Sequence, residues 1–430
     1  MRNFVIPLCL ALTSSAFGQG SLTPSAAPAP LGKTLDQIEP RIDVQRTFSP
    51  LPTDASNHVI INTAGSYYLT ANLAVTKANA ISITASGVTL DLNGFQISRA
   101  SGAGGIGVTI ASDTTRCVVR NGSITGFGTG VQCVTSVPAP RGGSFSQLNV
   151  AGCSAIGLLA GEAWEISECR SNDNGSTGIS AGVGGRLRDC VSNGNGAGGI
   201  TAGASAVLDG CVATGNSGTA GIQVGAGSTL TDCVAQGNIS SSGIAASFGS
   251  SLRDCVAREN TGAAATSQGI FSNGECQIVG CIATGNTNTN ATSTNNTGIG
   301  IRVVGIALIR DCVAPGNKGD GIQVSSRCTV RDNVCDGNGD GGTGAGIHVT
   351  SVGSRIEGNQ LTSNDTGLAV DSGDNIIRNT ARSNTTAFFL AVDNHFGAII
   401  NRAGAGTLAV NGPAAASNLT TTDPWANFTH

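Results

Sequence analysis

Ten aliphatic residues and ten asparagines recur at fixed offsets about a single slot, and that spacing leaves few folds open to this chain. The slot is held by Cys169, Cys190, Cys211, Cys233, Cys255, Cys281 and Cys312, then by Asn333, Asn359 and Asn379. Successive slots lie 21, 21, 22, 22, 26, 31, 21, 26 and 20 residues apart. Three residues before each slot stand Ile166, Leu187, Leu208, Leu230, Leu252, Ile278, Ile309, Val330, Ile356 and Ile376. Five residues after it stand Asn174, Asn195, Asn216, Asn238, Asn260, Asn286, Asn317, Asn338, Asn364 and Asn384. A third anchor, Gly-Ile-x-Val as at Gly221–Val224, precedes the next aliphatic anchor by 8 residues in every coil but one. Only the link from the Asn column to Gly-Ile varies in length, so the insertions 261–268, 287–297 and 339–345 fall at one corner of the repeat.

Short period-2 runs between Gly and Asn are strands between tight bends rather than helices. A unit of this length cannot bury its aliphatic side alone and must stack on copies of itself. Strands stacked about 4.8 Å apart would make a dozen coils into a rod about 55 Å long, with equivalent residues in ladders. Inward asparagines at a bend would then bond to the asparagines above and below, and to backbone groups otherwise left unpaired. The expected fold is all-β: a right-handed parallel β-helix, a solenoid of about a dozen coils of 20–31 residues, with N- and C-terminal caps.

From about Val88 to Asn384 the pattern resembles the pectin-lyase-like superfamily. Gly87–Phe95 is similar to the opening coil of many such proteins, Val118–Ile124 to the next, and Gly319–Ile322 is a repeat phrase of the type. More narrowly, 38–41 (Ile-Glu-Pro-Arg), Gly65–Leu69 and Pro424–Phe428 resemble a family of exported bacterial β-helix proteins. That resemblance implies a fold and no particular activity.

The ends read differently. Residues 1–18 have a positive start at Arg2, an apolar run 4–12 and a small-x-small end at 16–18, the marks of a secretory signal. The run is too short to span a membrane. Residues 19–57 are read as linker and N-terminal segment, with a short helix at 34–39; 58–87 as the N-terminal cap; 88–386 as the β-helix; and 387–430 as the C-terminal cap. Caps hide the open core and unpaired edge of a solenoid. The chain is therefore expected to be exported, whether periplasmic, on the outer surface or secreted.

Composition bears on what the chain can bind. Gly is 63 of 430 residues, aromatics 4% and charged residues 12%, which suits tight coils with small side chains. The formal charge is −4, and Lys33, Lys77 and Lys318 are the only lysines. With no basic stripe, a nucleic-acid partner is not expected. Many cysteines in an exported chain usually mean disulfides, but in-register neighbours hold their Cβ atoms near the ~4.8 Å strand spacing, wider than the ~3.8 Å a disulfide takes. The slot cysteines are thus expected to be reduced, buried fillers, and the sequence leaves Cys117, Cys133, Cys153, Cys276, Cys328 and Cys335 open.

In each Gly-Ile-x-Val strand the residue x points outward. That column reads Ser180, Thr201, Gln223, Ala245, Phe271, Arg302, Gln323, His348, Ala369. Phe271, Arg302, Gln323 and His348 would set an aromatic ring, a cation, an amide and an imidazole in one line, bordered by the long corners. They are the candidate substrate-binding residues. The resemblance implies a sugar chain on this face, so a polysaccharide or cell-surface glycan is the expected partner; the alternative is a solvated face with no ligand. No recognised catalytic motif is present, and paired carboxylates of a hydrolase are missing from the column. If the chain is an enzyme, a divergent polysaccharide lyase or glycoside hydrolase, Arg302 and His348 are the candidate catalytic pair. Asp320 and Asp340 read as turn formers. Asp336-Gly-Asn338-Gly-Asp340-Gly matches the start of a calcium loop but lacks the later Glu, and Asn338 also belongs to the inward column. Calcium at Asp336, Asn338 and Asp340 is the single cofactor the sequence suggests. The remaining alternative is an adhesin or surface-layer component.

Overall fold

The computed structural model describes residues 41–99, 104–136, 138–262, 267–289, 297–401 and 422–429. The expected signal segment and 34–39 helix, the corner interiors 263–266 and 290–296, and residues 402–421 lie outside them. The solenoid lies within Ile42–His430.

One coil shows the plan. Ile200–Ala202, Val207–Asp209 and Val212–Thr214 are three successive strands. Each runs parallel to its counterpart one coil on: Ile200 beside Ile222, Leu208 beside Leu230, Val212 beside Val234. Strands of the first kind stack into one sheet, and those of the second and third kinds into another. The result is a right-handed parallel β-solenoid of about 15 turns, with no helix among the described residues. The extra turns beyond the expected dozen come mainly from strands between Asn57 and Ala151, which pair in the same register yet carry neither the Cys slot nor the Asn column.

The bend before the slot explains its sequence. Asp189, Asp232, Asp254, Asp311 and Asp332 stand there at φ between 51° and 57°, and Gly210, Gly280 and Gly358 take the same place at 60° to 69°. A left-handed backbone is costly for most side chains, cheap for Gly and tolerated by Asp. Asp and Gly accordingly fill eight of the column's ten places, with Glu168 at 54° and Arg378 at 59° in the other two.

Inside the corner the asparagines form the expected ladder. Asn195 Nδ2 donates to Asn216 Oδ1 at 2.8 Å, Asn238 to Asn260 at 2.9 Å, Asn286 to Asn317 at 2.9 Å and Asn338 to Asn364 at 2.8 Å. Each oxygen also takes the main-chain N–H of the preceding asparagine, as Asn216 Oδ1 does from Asn195. The glycine of Gly-Ile must make room for this. A Cβ on Gly300 would lie 2.5 Å from the Gly321 carbonyl oxygen and 2.6 Å from Asn317 Nδ2.

A second amide ladder takes over where the slot changes from Cys to Asn. It runs Asn333, Asn359, Asn379 and then Asn427, whose Oδ1 accepts the Asn379 main-chain N–H at 2.9 Å. Asn427–Thr429 thereby closes onto Thr380–Arg382 and Ile399–Asn401, and Arg378 lies over the Trp425 ring. The slot cysteines are free and buried, and so are the other described cysteines. Among the described residues no helix is long and apolar enough to cross a membrane.

Candidate functional site

The sheet built from Gly-Ile-x-Val strands carries its outward residues in one straight column. Phe271 is paired with Arg302, Arg302 with Gln323, Gln323 with His348 and His348 with Ala369. Three strand steps, about 14 Å, separate Phe271 from His348. All four side chains are half-buried, and Arg302 makes no ion pair or side-chain hydrogen bond among the described residues. The same column runs back through Ala245, Gln223 and Thr201 to Ser180. Beside Thr201 and Gln223 lies a shallow groove of about 450 Å³, lined also by Ala181, Ala202, Gly203, Val224, Gly225 and Ser247. The hollow and the chemically rich residues therefore sit on different coils of one face, three strand steps from Gln223 to Arg302.

His348 is the most constrained member. Asp320, read from sequence as a turn former, is fully buried and directs its carboxylate at the column. Its Oδ1 accepts the Ala345 N–H at 2.7 Å; its Oδ2 accepts Gln323 Nε2 at 2.9 Å and faces His348 Nδ1 at 3.1 Å. A carboxylate oxygen only accepts, so Nδ1 carries a proton and Nε2 is the nitrogen left to face outward. Nε2 stands 3.7 Å from Asp371 Oδ1. Burial opposes the imidazolium, yet the hydrogen bond and charge of Asp320, aided by Asp371, outweigh it and hold the His348 pKa above its ordinary value. The arrangement is an oriented imidazole that can donate or accept a proton on the outer face.

Sequence reasoning missed Asp320 and Asp371 as partners of His348. Asp371 follows Val370 at the end of the strand next to His348, so the register gives the signal once one is in hand. It also missed Asp365. Its Oδ2 accepts N–H groups from Gly341, Gly342 and Gly344 at 3.1, 2.9 and 3.3 Å, shaping the long corner at 339–345.

The structure does not bring the calcium candidates together. Asn338 is buried in the ladder: its oxygen takes both the N–H and Nδ2 of Asn317, and its amide donates to Ala314 O and Asn364 Oδ1. Asp340 lies 3.8 Å from Lys318, and Asp336 is exposed on a strand of the other sheet. Among the described residues, no three His, Cys, Asp or Glu converge on a point where a metal would sit.

Comparison with known proteins agrees with this architecture. Residues 220–386 match the family model described as "Right handed beta helix region". No curated protein matches. Among solved structures, the chain is similar to the A-module of the Azotobacter vinelandii mannuronan C-5 epimerase AlgE6, at 12% identity and a TM-score of 0.43, covering 74% of this chain and 90% of that one. It is similar to tailspike protein 3 of bacteriophage CBA120, at 11% identity and a TM-score of 0.46, covering 86% and 65%. It is similar to the periplasmic alginate epimerase AlgG, at 12% identity and a TM-score of 0.43, covering 74% and 77%. The chain is a right-handed parallel β-helix. At these identities the likeness is one of fold and assigns no site residue.

Proposed function

We propose that this chain is an exported carbohydrate-binding rod that holds an extended glycan along the outer face of its Gly-Ile-x-Val sheet. The observation that carries the reading is the in-register column Phe271, Arg302, Gln323 and His348. Its chemistry suits a sugar polymer: an aromatic face for the apolar side of a ring, then a cation, an amide and an imidazole for hydroxyl or acidic groups. Strand steps of about 4.8 Å present these groups at a regular pitch, which suits a repeating ligand better than a compact one. The hollow beside Thr201 and Gln223 extends the same line.

A second reading has its own observation. His348 is oriented by a buried carboxylate and held toward its protonated form. In a divergent polysaccharide lyase or glycoside hydrolase it would serve as the proton-transfer group, with Arg302 stabilising developing negative charge. One experiment separates the two readings: purified chain from Gln19 onward, incubated with neutral and anionic polysaccharides, followed for polymer retention and by mass spectrometry for short or unsaturated products. Retention without products supports the binding rod, and products support the enzyme. Neither outcome would leave an adhesin or surface-layer role ahead. N-terminal sequencing of the protein recovered from its native compartment tests export, and an intact Met1 would refute it.

A further inference from the structure

The seven slot cysteines form a feature that no glycan reading uses. Cys169, Cys190, Cys211, Cys233, Cys255, Cys281 and Cys312 occupy one position on consecutive coils, tied by main-chain bonds such as Val191 N–H to Cys169 O at 2.9 Å and Val234 N–H to Cys211 O at 2.8 Å. Every one is free and buried. Each thiol also donates to the carbonyl two residues earlier: Cys190 to Arg188 at 3.3 Å, Cys233 to Thr231 at 3.3 Å, Cys255 to Arg253 at 3.3 Å, Cys312 to Arg310 at 3.2 Å. The side chains therefore share one conformation, and the sulfurs stand in a line with the repeat of the sheet.

We propose that this column binds thiophilic ions of linear, two-coordinate preference, each ion seated between the thiols of two neighbouring coils. Two metal–thiolate bonds of about 2.3 Å placed end to end span about 4.6 Å. The strand repeat is about 4.8 Å, so a linear bridge needs almost no change in backbone. A disulfide on the same pair would need the coils drawn together. Soft thiolate donors select soft ions. With no three metal-binding side chains converging among the described residues, the column has nothing to offer an ion that wants a tetrahedron or octahedron.

Charge decides among soft ions. When a divalent ion such as mercuric ion is taken up, two S–H bonds break, two metal–sulfur bonds form and two protons leave to solvent. No electron is transferred. The bis-thiolate so formed is neutral and suits an apolar core, whereas a monovalent ion would leave one negative charge buried. Burial opposes the thiolate form and pushes the Cys169 thiol up to about 12. Uptake therefore releases protons and tightens as pH rises. Because the slots are closed to solvent, entry follows local opening of the sheet and is slow.

Two triple variants with equal numbers of thiols test the idea, with mercuric chloride as the probe and native mass spectrometry as the readout. Cys190→Ala/Cys233→Ala/Cys281→Ala leaves four slot thiols, none beside another. Cys169→Ala/Cys190→Ala/Cys211→Ala leaves four in a row. The contiguous variant should bind two more ions than the alternating one, and equal binding would overturn the proposal. Should either variant fail to fold, X-ray absorption on the unaltered protein loaded with mercuric ion decides. Two sulfur neighbours at about 2.3 Å are expected, and three or more ligands, or nitrogen and oxygen neighbours, would refute it.

Discussion

Asp320 Oδ2 and His348 Nδ1 stand 3.1 Å apart across neighbouring coils, with the carboxylate fully buried and the imidazole partly open to solvent. The pair gives a pH dependence whose sign can be worked out. A histidine whose folded pKa lies above its unfolded value, about 6.5, adds stability that is complete below that value and is lost as pH rises through the folded pKa. The melting temperature should therefore fall across a window beginning near pH 6.5. Asp320→Asn keeps an acceptor for the Ala345 N–H but removes the charge. It should bring the His348 titration, followed by NMR, below the ordinary value and abolish that fall. An unmoved titration would show that Asp320 does not hold the proton.

The asparagine ladder should dominate stability at the corner. Asn338→Ala deprives Asn317 of its acceptor, Ala314 O of a donor, and Asn364 Oδ1 of one of its two, all at buried atoms. At about 1–3 kcal/mol for each buried group left unpaired, partly offset by water, the loss should be about 3–5 kcal/mol in urea unfolding. Asn384→Ala, in a half-buried position at the end of the ladder, should cost about 1 kcal/mol. Equal losses would mean the ladder is not cooperative with burial.

Two glycines should respond to alanine for different reasons. Gly300→Ala drives a methyl into the Gly321 carbonyl and the Asn317 amide, with backbone on one side that cannot turn away. About 1–3 kcal/mol or more of overpacking is expected. Gly316 has open space around its Cβ direction but sits at φ 61°. Gly316→Ala should cost about 1 kcal/mol, from backbone strain alone. Thermal melts of the two variants should keep this order.

Calcium at millimolar concentration should leave the melting temperature unchanged, because the Asn338 oxygen is committed to Asn317 and Asp340 faces Lys318. A rise with calcium that disappears in Asp336→Asn/Asp340→Asn would overturn this.

The columns were legible because the solenoid repeats them. An aliphatic residue three before the slot and an asparagine five after it can only mean the same position on successive coils, and the outward column Phe271–His348 follows by alternation. What stayed hidden lies where the repeat does not reach. Asp320, Asp365 and Asp371 act across coils, on groups 21 to 28 residues away, from the variable corner or a strand end. Their partners are visible only once the register is fixed, and an aspartate flanked by glycines looks the same whether it shapes a turn or holds a histidine. The early turns at 57–75 and 129–151 were hidden for the opposite reason, whereas the resemblance marks those carrying Gly87–Phe95 and Val118–Ile124. Ile60, Ser82, Thr109 and Gln132 stack in the same column, but their turns lack the cysteine and asparagine that mark the later ones. At Asn338 two patterns competed for one residue, and the ladder prevails because a buried amide with its oxygen and nitrogen both bonded cannot also face an ion.

The glycan reading makes its sharpest demand on Arg302 and His348, two strand steps apart with Gln323 between them. Arg302→Ala/His348→Ala removes both cationic groups from the face while leaving the inward Ile and Val of each strand in place. Polysaccharide retention should fall at least tenfold, about 1.4 kcal/mol, with the melting temperature moved mainly by the loss of the His348–Asp320 contact. Arg302→Lys keeps the charge but loses the planar fork, and should recover part of the binding to an acidic polymer and little of that to a neutral one. Thr201→Ala/Gln223→Ala, on the same column beside the hollow, should weaken long chains more than short ones, because only a polymer spanning several coils reaches both places. Retention indifferent to all three variants would place the ligand on another face of the rod.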